Sequence, residues 1–161
     1  MSTCKSNSMK NLEIVDLQSF STSAPVASSF IAYQIYFKLS VPLTLKIGKM
    51  GSRDLPAGDY VYTGSAKRNI RGRVLRHLER AKSLHWHIDY LLSGPGISIS
   101  KIILSRSSEC RLNKSTEGGI IVPRFGSTDC KEGCGSHLKC IDENSRTKRQ
   151  RETKVRPFRK A

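Results

Sequence analysis

The chain has 161 residues, which is enough for one compact domain with tails. Its hydrophobic fraction is 37%, and because these residues are clustered along the chain, disorder throughout is excluded. Lys and Arg number 28 against 13 Asp and Glu, which gives a formal net charge of +15. Such a surface attracts polyanions, although small proteins can also be basic without a partner.

The positive charge is concentrated in two stretches. Residues 67–82 contain seven basic residues and one acid, Glu79, for a net charge of +6. Residues 142–161 contain eight basic residues and three acids, for a net charge of +5. This concentration favours nucleic acid as the partner over an acidic membrane or protein surface.

Nothing in the sequence indicates a membrane span or an oxidising compartment. The longest apolar stretch, Val26 to Phe37, is interrupted by three polar residues and is too short to cross a bilayer. Five cysteines, an odd number without an export signal, fit a reducing compartment. We therefore expect a cytoplasmic protein with no membrane partner.

Composition and periodicity divide the chain into three parts. Residues 1–27 are predicted to be a flexible leader, in which residues 12–17 favour a short strand. Residues 28–141 form the core domain, where hydrophobic patterns recur. Residues 142–161 are predicted to be a basic flexible tail that either grips nucleic acid without sequence preference or is only solvated.

In the core, runs of β-branched and aromatic residues predict strands, and capped helical periodicity predicts helices. The predicted strands are Phe30–Leu39, Leu43–Ile47, Tyr60–Thr63 and Ile97–Leu104. The predicted helices are Ile70–Lys82 capped by Asn69, Leu84–Leu92 capped by Ser83, and a short one that starts with Glu109–Leu112 and is ended by Gly118-Gly119. Residues 120–126 should be extended and lead into a loop over Cys130–His137. The expected fold class is α/β (α+β), a small and largely antiparallel sheet with helices on its faces.

Four residues near the end of the Tyr60–Thr63 strand could take part in binding or catalysis: Tyr62, Gly64, Arg73 and His77. Arg73 and His77 are one helical turn apart, so they share a face and can point at one object. A guanidinium binds phosphate oxygens in pairs, and an imidazole can move a proton near neutral pH. Tyr62 precedes Gly64, whose missing side chain allows a ligand to approach the backbone closely. The alternative for His77 is a packed structural histidine.

These residues belong to longer strings with a recognisable pattern. Tyr60-Val61-Tyr62-Thr63-Gly64-Ser65-Ala66, followed by Arg73-Val74-Leu75-Arg76-His77, resembles the second half of the GIY-YIG nuclease motif. Over roughly residues 33–138 the chain is similar to the Uri-type branch of that superfamily. The supporting strings, in the order of the family, are Ile47-Gly48-Lys49-Met50-Gly51, Pro56-Ala57-Gly58-Asp59-Tyr60, His85-Trp86-His87-Ile88-Asp89-Tyr90-Leu91, Glu109-Cys110, Phe125-Gly126-Ser127-Thr128-Asp129-Cys130 and Ser136-His137-Leu138.

The resemblance implies a three-stranded antiparallel sheet flanked by helices, and a metal-dependent endonuclease that hydrolyses phosphodiester bonds, in DNA rather than RNA. Tyr36 and Tyr62 would be the tyrosines of the two half-motifs and would act on the attacking water or the phosphate. Arg73 would steady the phosphate, His77 would assist proton transfer, and Glu109 would hold Mg²⁺ or Mn²⁺. The nucleic-acid contacts predicted around this site are Gly64, Lys67, Arg68, Arg71, Arg76 and His87.

The first half-motif departs from the family pattern. In Gln34-Ile35-Tyr36, Gln34 replaces the expected glycine, and the distance along the chain from Tyr36 to Tyr62 is longer than in most of the superfamily. Gln34 either narrows the site or projects away from it. The alternative function is therefore a catalytically inactive nucleic-acid-binding module of the same fold.

The predicted second helix carries another polar pair. His85 and Asp89 are one turn apart, which suits an imidazole oriented by a carboxylate or half of a metal site. The alternative is that this helix braces the active site through a buried polar network. A further alternative is direct contact between nucleic acid and His87 or Trp86.

The remaining group consists of three thiols and one imidazole, Cys110, Cys130, Cys134 and His137. This set matches the ligands of a structural zinc site. The alternative is a reduced, hydrogen-bonded loop in which Cys110 is a small buried hydrophobe. A third interpretation of the whole chain is a zinc-stabilised adaptor whose basic tail meets an acidic partner.

Overall fold

The computed structural model describes residues 11–17, 20, 26–27 and 29–141, which form two sheets and flanking helices. The strands are β1 (Leu12–Val15), β2 (Ala32–Leu39), β3 (Leu43–Ile47), β4 (Gly51–Leu55), β5 (Gly58–Ser65), β6 (Ile97–Ser105) and β7 (Leu138–Cys140). The helices are α1 (Ile70–Leu78), α2 (His87–Leu92) and α3 (Glu109–Ser115). The predicted mixed class of helices and antiparallel strands is confirmed. Most of the predicted leader and all of the predicted tail lie outside the described residues.

The main sheet has five antiparallel strands in the order β1-β6-β2-β5-β7, so the expected three-stranded sheet is wrong in size. Its three middle strands, β6, β2 and β5, were predicted, and β1 confirms the short strand expected within residues 12–17. The two outer strands come from segments without a long hydrophobic run. β1 belongs to the predicted leader and pairs with β6, and β7 follows the cysteine loop and pairs with β5. A second sheet is the hairpin of β3 and β4, in which β4 was not predicted.

Side chains of the central strand β2 alternate between two faces of the sheet, as in any strand. Tyr33, Ile35, Phe37 and Leu39 are buried on the face where His77 of α1 meets Tyr33, here called the α1 face. Gln34, Tyr36 and Lys38 lie on the other face, where Gln34 meets Thr116 at the end of α3, here called the α3 face. The main core fills the α1 face.

Helix α1 begins as predicted and ends four residues early. Asn69 caps its start, since the side chain accepts a hydrogen bond from the backbone N–H of Gly72 at 2.9 Å. At the other end, Lys82 turns back and its Nζ donates to the carbonyl oxygens of Arg76 and His77 at 3.2 and 2.7 Å. These carbonyls lie in the last helical turn, so Lys82 caps the helix instead of extending it.

Helix α2 begins at His87, later than the predicted start at Leu84. The predicted N-cap, Ser83, does not cap it. Instead the Asp89 carboxylate accepts from the backbone N–H groups of His85 and Trp86, each at 2.9 Å. Because this carboxylate takes up those two N–H groups, the segment before His87 remains extended.

Residues 120–126 were predicted to be extended, and this prediction is wrong. They form bends and turns, and the nearest sheet pairing is an isolated bridge between Gly119 and Cys140. None of the helices in the described part of the chain is long and apolar enough to cross a bilayer.

We predict that Ile102→Ala lowers the free energy of unfolding by about 3 kcal/mol. Ile102 is fully buried in β6, opposite Val15 on one side and Ile35 on the other, so truncation leaves a cavity in the core. The measurement is equilibrium denaturation in urea. Ile14→Ala is the matched control, since Ile14 is 70% exposed on the neighbouring strand and its loss should change stability by less than about 0.5 kcal/mol. Equal losses in the two variants would contradict the described packing of β6.

Candidate active site and metal-binding cluster

Tyr33, and not Tyr36, shares a pocket with Tyr62. In the pairing of β2 with β5, Ile35 lies opposite Tyr62 and Tyr36 lies opposite Val61, so Tyr36 and Tyr62 are on different faces. The Tyr33 and Tyr62 rings are on the α1 face with centroids 6.4 Å apart. The predicted convergence of Tyr36 with Tyr62 is therefore wrong, because side-chain alternation places an even-numbered residue of β2 on the α3 face.

On the α3 face, Tyr36 and Gln34 form a separate polar group. The Tyr36 hydroxyl donates to Gln34 Oε1 at 3.1 Å, and the Lys101 ammonium lies 4.5 Å from the centre of the Tyr36 ring. Gln34 Nε2 donates to the hydroxyls of Thr63 and Thr116 at 3.1 and 2.7 Å. Gln34 thus points away from Tyr62, and its replacement of the expected glycine does not narrow the pocket.

Gly64 makes room for Tyr33. A Cβ atom at this position would lie 2.4 Å from both Cζ and Oη of the Tyr33 side chain, far inside van der Waals contact. The space left by the absent side chain is therefore filled by the Tyr33 ring. The prediction that Gly64 contacts nucleic acid is therefore wrong, because the Tyr33 ring covers this residue and leaves no room for a ligand.

A chain of polar contacts leads from Tyr33 into the protein. The Tyr33 hydroxyl lies 2.7 Å from His77 Nε2, and His77 Nδ1 lies 3.4 Å from Asp89 Oδ1. Burial lowers the pKa of His77 to about 4, even though the Asp89 carboxylate opposes this shift. His77 is therefore neutral at pH 7. The nearby carboxylate favours the proton on Nδ1, which leaves Nε2 to accept from Tyr33.

Asp89 is the centre of the polar network beneath the pocket. It is fully buried and receives two bonds of 2.9 Å from Arg76 Nη1. Burial raises the pKa of Asp89, but the backbone N–H groups of Trp86 and His85, together with Arg76, outweigh it and hold the pKa below its usual value. This network matches the bracing role that was the alternative for α2.

The same network redefines Arg76. Besides the two bonds to Asp89, its Nη2 donates to the carbonyl of Ser83 at 2.8 Å, and its guanidinium lies 4.5 Å from the centre of the Trp86 ring. These contacts give Arg76 a structural role, and few of its donors remain for the predicted contact with nucleic acid.

Arg73 and Glu109 lie at the edge of the pocket, on either side of Ser65. Arg73 Nη1 donates to the Ser65 carbonyl at 3.2 Å, and the Ser65 hydroxyl donates to Glu109 Oε2 at the same distance. Burial raises the pKa of Tyr33 and of Tyr62, Glu109 raises both further, and Arg73 lowers both. Both phenols are thus neutral, and the charges of Arg73 and Glu109 act on each of them. Tyr33, Tyr62 and His77 thus form one buried cluster, and Arg73 and Glu109 are linked to its edge through different atoms of Ser65.

The other predicted nucleic-acid contacts lie outside this pocket. Lys67 and Arg68 are exposed beside the first turn of α1 and, with Arg71, border a cleft of about 320 Å³. Arg71 is half-buried, and its Nη2 donates to the carbonyl of Phe20 at 3.4 Å. His87 is also half-buried, and its Nδ1 accepts from the backbone N–H of Gly126 at 3.0 Å.

The four predicted zinc ligands come together. Cys110 stands in the first turn of α3, and Cys130, Cys134 and His137 follow in the loop before β7. One ligand atom from each lies within 4.8 Å of the others, so the group can hold a metal ion. His137 is 2% exposed; its Nδ1 faces the Glu109 carboxylate, whereas its Nε2 has no hydrogen-bond partner among the described residues. Buried nitrogens of this kind require a partner, and a metal ion would supply one.

This metal-binding cluster adjoins the candidate active site. His137 Nδ1 lies 3.2 Å from Glu109 Oε1, and Glu109 is the chain neighbour of Cys110. The backbone N–H of Thr63 donates to the His137 carbonyl at 2.9 Å, which ties the cluster to β5 beside Tyr62. The two sites therefore share a wall.

The sequence of this chain matches the model of a known protein family. A family model described as "Domain of unknown function DUF123" matches residues 32–160, which is most of the chain. The chain belongs to the DUF123 family. No curated protein and no solved structure shows significant similarity to the chain. In this DUF123 protein the matched region includes every member of the pocket and of the metal-binding cluster.

We predict that the protein loses stability as the pH falls from 6.5 towards 4. The pKa of His77 is about 4 in the folded protein and about 6.5 in the unfolded chain, so the neutral form favours folding. The full contribution is present above pH 6.5 and is lost as the pH approaches 4, a difference of about 3 kcal/mol. Urea denaturation at several pH values measures it.

The control for this pH dependence is a comparison of two histidines. His77→Gln should flatten the dependence in this window, whereas His85→Gln should leave it intact because His85 is exposed. The assignment fails if His77→Gln and wild type lose stability in parallel.

Proposed function

We propose that the protein is a metal-dependent endonuclease that hydrolyses phosphodiester bonds in DNA. One observation carries this proposal. The phenols of Tyr33 and Tyr62 are clustered with the imidazole of His77, and the charges of Arg73 and Glu109, which both bond to Ser65, act on both phenols. This is the residue set of the GIY-YIG motif, with Tyr33 in the place expected for Tyr36. The net charge of +15 supports a polyanionic substrate.

In this proposal Arg73 and Glu109 handle the phosphate. Arg73 has one bond to the Ser65 carbonyl and retains other donors, which can bind phosphate oxygens in pairs. The Glu109 carboxylate is 24% exposed and offers oxygen atoms, the donors that Mg²⁺ and Mn²⁺ prefer. A divalent ion bound there would neutralise charge that develops on the phosphate. Because Mg²⁺ keeps several waters, one carboxylate from the protein is sufficient.

The phenols and His77 would move the proton. A water that attacks the phosphate loses a proton, and Tyr33 can accept it while its own hydroxyl proton passes to His77 Nε2, 2.7 Å away. Asp89 would stabilise the imidazolium formed in this step, since its carboxylate lies 3.4 Å from Nδ1. Tyr62, neutral and buried, would donate a hydrogen bond into the pocket.

A catalytically inactive nucleic-acid-binding module remains the second candidate, and one observation favours it. Both oxygens of Glu109 already contact protein groups, Ser65 Oγ at 3.2 Å and His137 Nδ1 at 3.2 Å. A carboxylate held in this way is less available to a divalent ion. The two candidates differ in cleavage and not in binding.

We further propose that Cys110, Cys130, Cys134 and His137 hold a structural zinc ion. Three sulfurs and one nitrogen are a common tetrahedral zinc set. Backbone hydrogen bonds from Cys134 and Glu132 lower the pKa of Cys130 to about 6, which favours the thiolate that binds metal. His137 would use one nitrogen for the ion and the other towards Glu109, the carboxylate–histidine–metal arrangement known to orient ligands.

We predict that the purified protein cuts DNA with Mg²⁺ and not with EDTA. Tyr33→Phe, Tyr62→Phe, Arg73→Ala and Glu109→Ala should each slow cutting by about 100-fold or more while DNA is still bound. Tyr36→Phe is the matched control and should cut as wild type, because its hydroxyl lies on the α3 face. The measurement is cleavage of labelled single- and double-stranded DNA.

The comparison of the two tyrosines decides the assignment. If Tyr36→Phe loses cutting and Tyr33→Phe retains it, the assigned pocket is wrong. If wild type binds DNA and never cuts it, the binding module is the function.

We predict one zinc ion per chain in protein purified without a histidine tag, measured by elemental analysis. His137→Ala and Cys130→Ser should lose the ion and unfold at lower temperature. Cys140→Ala should keep it, because Cys140 is a buried cysteine outside the cluster. Metal-free wild-type protein with unchanged stability would exclude a structural zinc.

A further inference from the structure

A second positively charged cleft lies beside the candidate active site. It has a volume of about 320 Å³ and is bordered by the tip of the β3–β4 hairpin, the start of α2 and the loop before the metal-binding cluster. Its lining residues are Lys49, Met50, Arg53, His87, Pro123, Arg124 and Thr128. Three of the seven carry a full positive charge, and none carries a carboxylate.

The three cations of this basic cleft have no acidic partner within the part of the chain that the structure describes. Among the described residues, no carboxylate forms an ion pair with Lys49, Arg53 or Arg124, although Arg53 Nη1 donates to the carbonyl of Ser52 at 2.9 Å. Like charges that converge on one concavity repel each other unless an anion lies between them. The basic cleft is therefore electrostatically suited to an anion.

The basic cleft is connected to the pocket through two residues. His87, which lines the cleft, accepts at Nδ1 from the backbone N–H of Gly126. Gly126 lies against Tyr62, since a Cβ atom there would be 3.0 Å from Cε2 and 3.7 Å from Oη of that ring. With Nδ1 accepting, the neutral His87 ring carries its proton on Nε2 and keeps a donor for the cleft. The wall of the cleft thus adjoins the Tyr62 ring.

Arg124 is held in the cleft wall by an unusual backbone. Its φ of 62° lies in the left-handed region, which a residue with a long side chain seldom adopts. Two backbone bonds fix this conformation, from the Arg124 N–H to Gly135 and from the Ser127 N–H to Arg124. Gly135 lies between Cys134 and His137, so the loop that holds the metal ligands also positions Arg124. Such local strain is concentrated at sites of function.

The lining also indicates what kind of anion fits. It contains no Phe, Tyr or Trp side chain on which a nucleobase could stack. Lysine, arginine and threonine side chains are typical donors to phosphate oxygens and sugars, contacts that position a nucleic acid without reading its sequence. The cleft is suited to the backbone of a nucleic acid and not to its bases.

We propose that the basic cleft of Lys49, Arg53, His87 and Arg124 binds the sugar–phosphate backbone of DNA next to the phosphate held by Arg73. This proposal rests on the proposed nuclease function for the position of that phosphate. It adds a second contact region, formed by the hairpin and the cysteine loop, to the basic residues at the start of α1. The cleft fixes where the strand continues beyond the cutting site and does not take part in the chemistry.

The test is DNA binding in EDTA, where nothing is cut, measured by fluorescence anisotropy of a short labelled duplex over a range of KCl concentrations. Lys49→Ala, Arg53→Ala and Arg124→Gln should each weaken binding roughly three- to tenfold and reduce the slope of log affinity against log salt by about 1. Arg124→Asn serves as a second variant at that position, because asparagine tolerates the left-handed conformation. Thermal melting verifies that all variants are folded.

Lys46→Ala is the matched control. Lys46 is exposed on the same hairpin, but it pairs with Ser52 and lies on the opposite face of the hairpin from Arg53, which pairs with Leu45. Its removal takes away the same charge and should leave affinity and salt slope nearly unchanged. Equal losses of affinity in Lys46→Ala and the cleft variants would show that DNA binding depends on overall charge and not on the cleft. That result would overturn the proposal.

Single-turnover cutting at saturating protein separates this proposal from the nuclease itself. The cleft variants should cut at the wild-type rate once DNA is bound. If wild type binds but does not cut, and the cleft variants still lower the salt slope, the nuclease proposal fails and the DNA-binding cleft stands. If wild type cuts while folded cleft variants bind as tightly as wild type, the cleft proposal fails alone. Tighter binding to poly-glutamate than to DNA would also overturn it.

Discussion

The buried carboxylate of Asp89 fixes the relation between the two helices that build the candidate site. It accepts hydrogen bonds from the backbone N–H groups of His85 and Trp86, just before α2 begins. It accepts two more from Arg76 of α1. A buried charge is tolerated only where such partners surround it. The bonds to Arg76 fix the rotation of α1 about its own axis, so His77 faces Tyr33 on the sheet. The geometry of the pocket therefore depends on a residue that does not line it.

The strands, the start of α1 and the group of cysteines could be predicted because local patterns specify them. The assignment of Tyr36 failed although the sequence contained the necessary signal. In β2 the polar residues Gln34, Tyr36 and Lys38 alternate with apolar ones, so alternation alone places Tyr36 away from the core and Tyr33 towards it. The motif string ends at Tyr36, whereas the buried face of the strand selects Tyr33.

Other features depend on contacts that no local pattern contains. Lys82 ends α1 by folding back onto its carbonyls, and this requires the turn that Asp89 stabilises. β7 is short and becomes a strand because β5 offers a free edge. The contact between His137 and Glu109 joins the metal-binding cluster to the pocket, and these two residues are far apart in sequence. Tertiary packing decides each of these.

The close fit between Gly64 and Tyr33 limits how this family can vary. Any side chain at position 64 would occupy the volume of the Tyr33 phenol, so the two positions are not independent. A homologue with alanine at position 64 should carry a smaller residue at position 33, and it would then lack the hydroxyl that meets His77. Covariation between these two columns of a family alignment is thus a signature by which members with an intact pocket can be separated from members that have lost it.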